Sequence, residues 1–347
     1  MRIALVTDAW TPQVNGVVRT LTTITSELRR RGHEIEVISP DLYRSLPCPT
    51  YPEIRLALAG QRAVGGRLAR FGPEAIHVST EGPLGWAARR WCLAERRAFT
   101  TAYHTQFPDY LARRTGLSPA VFWPYIRRFH RPSVGILVAT GTIREQLREH
   151  GLGQLRHWSR GVDLACFSPT VAPPDLFFEL PRPIQLYVGR VAVEKNIEAF
   201  LRSGHPGSKV VVGDGPALPR LRADFPEAHF LGKHTGQALA ACYAGADVLV
   251  FPSRTDTFGL VMIEALACGT PVAAYPVAGP LDVLTPASGA MAERLDDAIA
   301  AALGLSREDC LAHGRSFSWQ ASADQFLAAL APGNPVPAPR PALAAVA

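Results

Sequence analysis

The chain runs twice through the same alternation of short apolar segments, rich in Val and Ile, and longer helical patterns. The first series predicts strands over 2–7, 34–39, 75–78, 100–104 and 134–139, and helices over 17–31, 84–97 and 142–150. Strands that alternate with helices pair in parallel, because each crossover helix returns the chain to the edge of the sheet where the previous strand began. The pattern is therefore typical of an α/β fold.

The alternation restarts after a proline-punctuated connection over 167–183. The second series predicts strands over 184–188, 209–212, 228–231, 248–251 and 271–274, and helices over 197–203, 217–224, 237–244, 260–267 and 319–329. We expect two doubly wound domains whose strands end at a shared crevice, where such folds bind nucleotides. The expected divisions are domains at 1–168 and 169–316, a helix at 317–331 that packs back on the first domain, and a disordered Pro/Ala-rich tail at 332–347.

The composition is that of a soluble globular protein, with 47% apolar and 19% charged residues among 347. No stretch approaches the roughly 20 uncharged apolar residues that span a bilayer. The first residues are expected to form a strand rather than a signal peptide, because they turn polar too soon. The six cysteines are dispersed, which favours neither a disulfide framework nor a zinc site. We expect a cytoplasmic protein.

The charge is unevenly distributed. Residues 1–170 contain 23 arginines and no lysine against 13 acidic residues, a net charge of +10, whereas residues 171–347 carry −4. This basic half indicates either an anionic partner, such as phospholipid, nucleic acid or an acidic substrate, or only solvated helix faces. No nucleic-acid partner is expected, because the arginine pairs lack interleaved aromatic residues.

One segment of the basic half is a candidate patch for an anionic membrane. It combines basic and apolar side chains, and the spacing of its apolar residues is also that of a helix that faces a core: Arg62, Val64, Arg67, Leu68, Arg70 and Phe71. Both interpretations fit the sequence.

Gly16 lies in a loop between the first predicted strand and the helix that follows. Glycine has no Cβ to obstruct a phosphate, and the start of the helix presents free N–H groups and a positive dipole end. The alternative is that Gly16 only makes the turn.

Arg190 and Lys195 stand five positions apart on the loop after the strand at 184–188. Two fixed cations at the end of a strand can neutralise a diphosphate and stabilise it as a leaving group. The alternative is a pair of surface cations.

A third loop leads from Asp256 into the helix at 260–267, which contains Glu264. A carboxylate within this apolar helix is costly unless hydrogen-bond donors, such as ribose hydroxyls, satisfy it. The N–H groups of Phe258, Gly259 and Leu260 would meet a phosphate at the start of the helix. The alternative is an N-capping Asp256 and an exposed Glu264.

These loops resemble those of the retaining GT-B glycosyltransferases of the glycogen-synthase-like and mannosyltransferase-like group, which have two facing Rossmann-like domains around a central crevice. The resemblance covers residues 1 to about 330 and rests on the segments PQVNGV, VGRVAVEKN, VVGDGP, FLG and EALACGTPVAA. It implies that a hexose is transferred from a nucleoside-diphosphate sugar.

The resemblance also implies roles for single residues. Arg190 and Lys195 would hold the donor diphosphate, Gly16 would let it approach, and Glu264 would accept bonds from the ribose hydroxyls. The resemblance further implies contacts with the donor sugar and base for three other positions, of which the acid at 256 is Asp where the family usually has Glu: His104, Gly232 and Asp256.

The acceptor is implied by a narrower resemblance, to synthases of glycosyl- or sulfoquinovosyl-diacylglycerol and to mannosyltransferases of phosphatidylinositol. It rests on the segments TDAWTPQVNGVVRTL, TEGPLGWAARR and YHTQFPDYL. It implies that Glu81 and Gly82 line the acceptor side of the crevice, although a turn before a helix explains them equally. We expect a UDP-sugar of the glucose or glucuronic acid class as donor and a membrane lipid such as diacylglycerol as acceptor. We also expect an enzyme held at the inner face of the cell membrane by its basic domain.

Three other functions fit parts of the sequence: a GDP-mannose-dependent mannosyltransferase, a nucleotide-sugar epimerase and a nucleic-acid-binding module. Neither a cofactor nor a metal is expected, since there is no D-x-D pair for a metal-bound diphosphate. A G-x-x-x-x-G-K-[ST] loop is also missing, which argues against an NTPase.

Overall fold

A computed structural model of the chain describes residues 1–13, 15–48 and 51–330. The expected disordered tail at 332–347 lies outside these residues. Across the described ranges, none of the helices combines the length and the apolar character needed to cross a bilayer.

The first domain is built on a parallel sheet of six strands in the order β2-β1-β5-β6-β7-β8, beside which β3 and β4 form an antiparallel hairpin. Its strands are β1 (Arg2–Val6), β2 (Glu34–Ile38), β3 (Ser45–Cys48), β4 (Tyr51–Ala57), β5 (Ala75–Val78), β6 (Thr100–Ala102), β7 (Gly135–Val138) and β8 (Leu155–His157). The central strands are buried on both faces, which explains why they are continuous apolar runs rather than alternating ones.

Helices cover both faces of this sheet. They are α1 (Gly16–Arg30), α2 (Gln61–Phe71), α3 (Pro83–Ala94), α4 (Phe107–Thr115), α5 (Trp123–His130) and α6 (Gly141–Glu149). Apolar residues of α2 and α3 pack with those of β1 and β5 on one face, and residues of α1 pack on the other.

The second domain repeats the arrangement with a parallel sheet in the order β11-β10-β9-β12-β13-β14. Its strands are β9 (Ile184–Val188), β10 (Ser208–Val212), β11 (His229–Gly232), β12 (Val248–Phe251), β13 (Val272–Ala274) and β14 (Gly289–Met291). Its helices, with the last helix of the described chain, are α7 (Leu176–Glu179), α8 (Ile197–Leu201), α9 (Leu218–Asp224), α10 (Gly236–Gly245), α11 (Leu260–Ala267), α12 (Pro280–Val283), α13 (Leu295–Ala302), α14 (Arg307–Gly314) and α15 (Trp319–Ala329).

Helix α15 leaves the second domain and packs on the first. Phe326 is fully buried in the same apolar cluster as residues of β1 and α1. The indole Nε1 of Trp158 donates to Ser322 Oγ over 3.1 Å, and the N–H of Ser159 donates to Gln325 Oε1 over 2.7 Å. The chain therefore connects the two domains twice, once where it enters the second domain and once where α15 returns to the first.

The structure contradicts the membrane patch expected on α2. Val64 and Leu68 are fully buried and Phe71 is 8% exposed, all in the core against β1 and β5. Arg67 forms an ion pair with Glu36 at 2.9 Å. The apolar residues of α2 cannot enter a bilayer because they already cover the sheet, so their spacing reflected a core-facing helix.

The docking of α15 can be tested with Phe326→Ala. Removing a fully buried phenylalanine leaves a cavity, and we expect the free energy of unfolding to fall by about 3–5 kcal/mol. Phe178→Ala is the matched control, because Phe178 is 73% exposed and should change stability by less than about 0.5 kcal/mol. Urea denaturation measures both; equal losses would show that α15 contributes little to stability.

Candidate functional site

The carboxyl ends of the two sheets face each other across a cleft. Loops after β6 and β12 meet there, where Thr257 Oγ1 donates to the carbonyl of His104 over 2.7 Å and Gln106 Nε2 donates to the carbonyl of Asp256 over 3.2 Å. Side chains of α1 and the segment around α6 add further bonds between the domains: Arg19 to Glu264, Thr140 to Thr257, and the Thr142 N–H to Asp282. The domains are thus in direct contact around the cleft.

The N-termini of α1 and α11 approach each other in this cleft. A Cβ placed on Gly16, the first residue of α1, would lie 3.6 Å from Leu260, the first residue of α11, and would meet no other described atom. The described packing therefore does not require glycine at position 16. Two positive dipole ends that face each other favour an anion between them.

The turn into α11 depends on Gly259. Its φ of +88° is a conformation that other residues adopt with strain, and a Cβ there would lie 2.9 Å from atoms of Phe251 and Met262. Phe258 is buried and packs edge-to-face on Phe317. The N–H groups of Phe258, Gly259 and Leu260 make no hydrogen bond with another described residue. The turn therefore presents free donors.

Lys195 and Asp256, expected in two separate loops, form one ion pair. Lys195 Nζ lies 2.5 Å from Asp256 Oδ1, and both side chains are about one-quarter exposed. Asn196 Nδ2 donates to the carbonyl of Pro252 over 3.1 Å and so fixes the loop after β9 to the end of β12. Arg190 lies on the same loop, and its carbonyl accepts a hydrogen bond from Tyr187.

Glu264 is 3% exposed, so the alternative of an exposed acid is wrong. Its Oε1 accepts from Arg19 Nη1, and its Oε2 accepts from the hydroxyl of Tyr243 over 3.0 Å. Burial raises the pKa of Glu264, while the charge of Arg19 and the hydrogen bond from Tyr243 act against that rise. In the closed cleft, protein donors already satisfy the carboxylate.

His104 lies at the end of β6, with its ring edge-on to Trp158 at 5.6 Å. Burial holds the pKa of His104 well below its ordinary value, and the positive charge of Arg160 and the neighbouring His77 and His130 add to this effect. The ring is therefore neutral at physiological pH.

Gly82 makes room for Asp8. A Cβ on Gly82 would lie 2.4 Å from the Asp8 carboxyl carbon. The carboxylate oxygens of Asp8 accept from the N–H groups at the start of α3, Oδ1 from Leu84 at 2.8 Å and Oδ2 from Gly85 at 3.3 Å. Asp8 therefore caps α3 from another loop, and burial raises the pKa of its carboxyl. The start of α3 is already occupied by an acid of the protein.

Two other expected residues lie at the margins of the cleft. Glu81 Oε1 is 3.1 Å from His130 Nε2, and its carbonyl accepts from the hydroxyl of Tyr125. Gly232, with φ +74°, ends β11, and its carbonyl accepts from the N–H of Gly213 over 2.8 Å. A Cβ on Gly232 would meet nothing within 4 Å.

The sequence prediction did not single out four residues that contact the expected ones. Asp8 and Arg160 each follow closely on a strand, β1 and β8, and charged residues at these positions could have been noticed. Arg19 and Tyr243 lie within helices and give no local signal. Contact between the domains brings Arg19 to Glu264, and packing of α10 against α11 within the second domain brings Tyr243 to it.

Two observations bear on where a small molecule or ion could bind. Within the described residues, no group of three or more His, Cys, Asp or Glu side chains could hold a metal ion. A shallow depression of about 460 Å³ lies at the opposite end of the second sheet, but Arg182 and Asp247 in its wall already pair with each other at 2.6 Å. We therefore take the cleft as the candidate site, because the free N–H groups at the start of α11 lie there.

Comparison with known proteins agrees with this geometry. The family model Glycosyltransferase Family 4 matches residues 14–165, and Glycosyl transferases group 1 matches residues 182–307. The GDP-mannose-dependent alpha-mannosyltransferase of Mycolicibacterium smegmatis is 32% identical over 313 residues, which are 82% of this chain and 82% of that protein. The alpha-monoglucosyldiacylglycerol synthase of Streptococcus pneumoniae is 27% identical over 317 residues, 79% of this chain and 71% of that protein.

Among solved structures, the sucrose-phosphate synthase of Thermosynechococcus elongatus superposes with a TM-score of 0.77 at 23% identity, over 94% of this chain and 97% of that one. These comparisons confirm the expected α/β architecture. They also confirm the resemblance to GT-B glycosyltransferases. The chain belongs to the GT-B glycosyltransferases, with a family 4 domain followed by a group 1 domain.

Proposed function

We propose that the enzyme transfers a hexose, with retention at the anomeric carbon and without a metal ion, from a nucleoside-diphosphate sugar to a membrane lipid. The observation that carries this proposal is the meeting of the N-termini of α1 and α11, beside the loop that bears Arg190 and Lys195. Two helix dipoles and the Lys195 cation lie together where a diphosphate would bind, and Arg190 is on the same loop as Lys195.

Transfer needs charge stabilisation most where the bond between the sugar and the diphosphate breaks, because the leaving oxygen takes the electron pair of that bond. Lys195 Nζ has three hydrogens and uses one on Asp256, so the others can donate to phosphate oxygens. The free N–H groups at the start of α11 would add donors already fixed in place. Asp256, held by Lys195, would accept from sugar hydroxyls.

Two donors are in question. The relative named as GDP-mannose-dependent favours GDP-mannose, whereas the glucosyldiacylglycerol synthase supports a glucosyl donor such as UDP-glucose, which we expected from the sequence. The latter relative also supports a diacylglycerol acceptor. An epimerase would need no acceptor.

A panel of labelled UDP- and GDP-sugars, incubated with a lipid extract, tests this proposal. We expect label to enter lipid from one donor class, with release of nucleoside diphosphate that depends on added lipid. Excess EDTA should leave the rate unchanged, since Arg190 and Lys195 take the part of a metal. Release of nucleoside diphosphate without added lipid would contradict the lipid acceptor. A rate lost with EDTA and restored by Mg²⁺ or Mn²⁺ would contradict the metal-free mechanism.

The diphosphate assignment predicts the effect of Arg190→Ala and Lys195→Ala. Each should lower kcat by roughly 10²-fold or more, because a group that stabilises the leaving charge is lost. Arg202→Ala is a control in the same domain, since Arg202 is exposed and pairs with Glu198 on α8. Steady-state kinetics measure all three, and wild-type rates in both site variants would exclude the assignment.

We also propose that the ribose hydroxyls bind Glu264 in the donor complex. Glu264→Gln keeps the volume and an acceptor for Tyr243, so we expect donor affinity to fall at least about tenfold, or about 1.4 kcal/mol, with little change in the Tm. Glu198→Gln on exposed α8 is the matched control. Calorimetric titration of donor measures affinity; an unchanged Kd with a lowered Tm would make Glu264 structural.

A different surface replaces α2 as the proposed membrane contact on the cytoplasmic side. This ridge follows α4 and includes α5. Its exposed side chains are both apolar and basic: Leu117, Val121, Tyr125, Arg127, Arg128 and Arg131. Leu117 and Val121 are 52% and 58% exposed. The Tyr125 hydroxyl bonds to the carbonyl of Glu81, so the ridge adjoins the expected acceptor side of the cleft.

Vesicle flotation tests the ridge. Each arginine near an anionic surface contributes roughly 1 kcal/mol, so phosphatidylglycerol vesicles should capture the protein at low salt and neutral phosphatidylcholine vesicles should not. Arg127→Ala with Arg128→Ala should reduce capture more than the matched pair Arg62→Ala with Arg70→Ala, which lies on α2. Equal reductions would show that only the net charge of the domain matters.

A further inference from the structure

Arg160 is an unusual buried cation beside the cleft. It is 4% exposed, and its guanidinium lies 4.3 Å from the centre of the Trp158 ring. Its Nη1 donates to the carbonyls of Trp158 at 2.7 Å and Ser159 at 3.2 Å, and it forms no ion pair with a described carboxylate. Burial lowers the pKa of Arg160 to about 9, so it stays charged at neutral pH. A buried charge without a counter-ion is costly and calls for an explanation.

The explanation lies in its other terminal nitrogen. Arg160 Nη2 is 3.3 Å from His104 Nδ1. A guanidinium only donates hydrogen bonds, so Nδ1 must be the acceptor and the ring hydrogen must lie on Nε2. His104 Nε2 is inaccessible to solvent and has no hydrogen-bond partner among the described residues. An unpaired buried N–H is costly, and an oxygen of a bound ligand would satisfy it.

We propose that Arg160 is a positioning residue for His104: it fixes the tautomer in which Nε2 carries the hydrogen and directs this donor to an oxygen of bound substrate. The fixed tautomer stands on the geometry alone. Only the identity of the oxygen, on the sugar donor or the acceptor, rests on the proposed function.

The charges around His104 support this role. Burial is the largest cause of the lowered pKa of His104, and Arg160, His77 and His130 are the groups that add to it by disfavouring a second proton on the ring. His77 is itself neutral, since burial and the charge of Arg160 lower its pKa to about 3. His130 is bonded to Thr101 and Glu81. Removal of the Arg160 charge should therefore raise the pKa of His104 and let the ring become protonated as the pH falls.

Three variants separate the charge from the hydrogen bond. Arg160→Gln keeps a donor without the charge, Arg160→Lys keeps the charge without the planar fork, and Arg160→Met removes both. Long-range ¹H–¹⁵N NMR of the histidine rings, assigned with His104→Gln, reports the tautomer without any substrate. We expect wild type and Arg160→Gln to show hydrogen on Nε2, and Arg160→Met to show a mixture of tautomers.

The pH profile of kcat/KM is the second readout. Wild type should show no acidic limb from His104. In Arg160→Gln and Arg160→Met the acidic limb should shift to higher pH than in Arg160→Lys, because only lysine keeps a positive charge beside the ring. Arg156→Met is the control, because the partners of the Arg156 side chain among the described residues are the carbonyls of Val134 and Ala329, and its loss should lower the Tm alone.

An unchanged His104 tautomer in Arg160→Met would overturn the proposal. Should that variant fail to fold, an unchanged His104 tautomer in Arg160→Leu, which also removes both the charge and the donor, would overturn it instead. If the tautomer depends on Arg160 but no sugar is transferred, the positioning stands and the proposed function fails.

Discussion

Parallel pairing of strands in both sheets is the constraint on which the site depends. β1 lies between β2 and β5, and β9 between β10 and β12, with all pairs parallel. Parallel strands end at the same edge, and helices cover both faces of each sheet, so the loops at that edge are where polar groups of the two domains can meet. The return of α15 to the first domain adds a second connection, which holds the two edges opposite each other.

Charges at the cleft are fixed by partners from other parts of the chain. Asp8 is held by the start of α3, Glu264 by Arg19 and Tyr243, and Lys195 by Asp256. Buried or half-buried charges need such partners, because desolvation without compensation would unfold the region or neutralise the group. The same partners fix the positions of these charges, which is the arrangement that the proposed stabilisation of a departing diphosphate requires.

Much of the fold followed from the sequence, and the omissions have identifiable causes. Strands β8 and β14 were missed because their three residues, Leu-Arg-His and Gly-Ala-Met, form no run of β-branched or aromatic residues. Helices α4 and α5 were missed because Pro108 and Pro124 suggest a break, although each lies in the first turn, where its missing N–H costs nothing.

The sequence by itself determined two α/β domains, most of their strands and the strand-to-helix segments in which Gly16, Arg190, Lys195 and Glu264 lie, because these depend on local periodicity and on the position of a residue relative to a strand. Only the tertiary structure decided which side chains meet. In it the apolar face of α2 is buried, Lys195 pairs with Asp256, and Arg19 pairs with Glu264. These contacts join residues that are far apart in the chain, and their energies come from burial and from interactions between charges. A local sequence pattern contains neither.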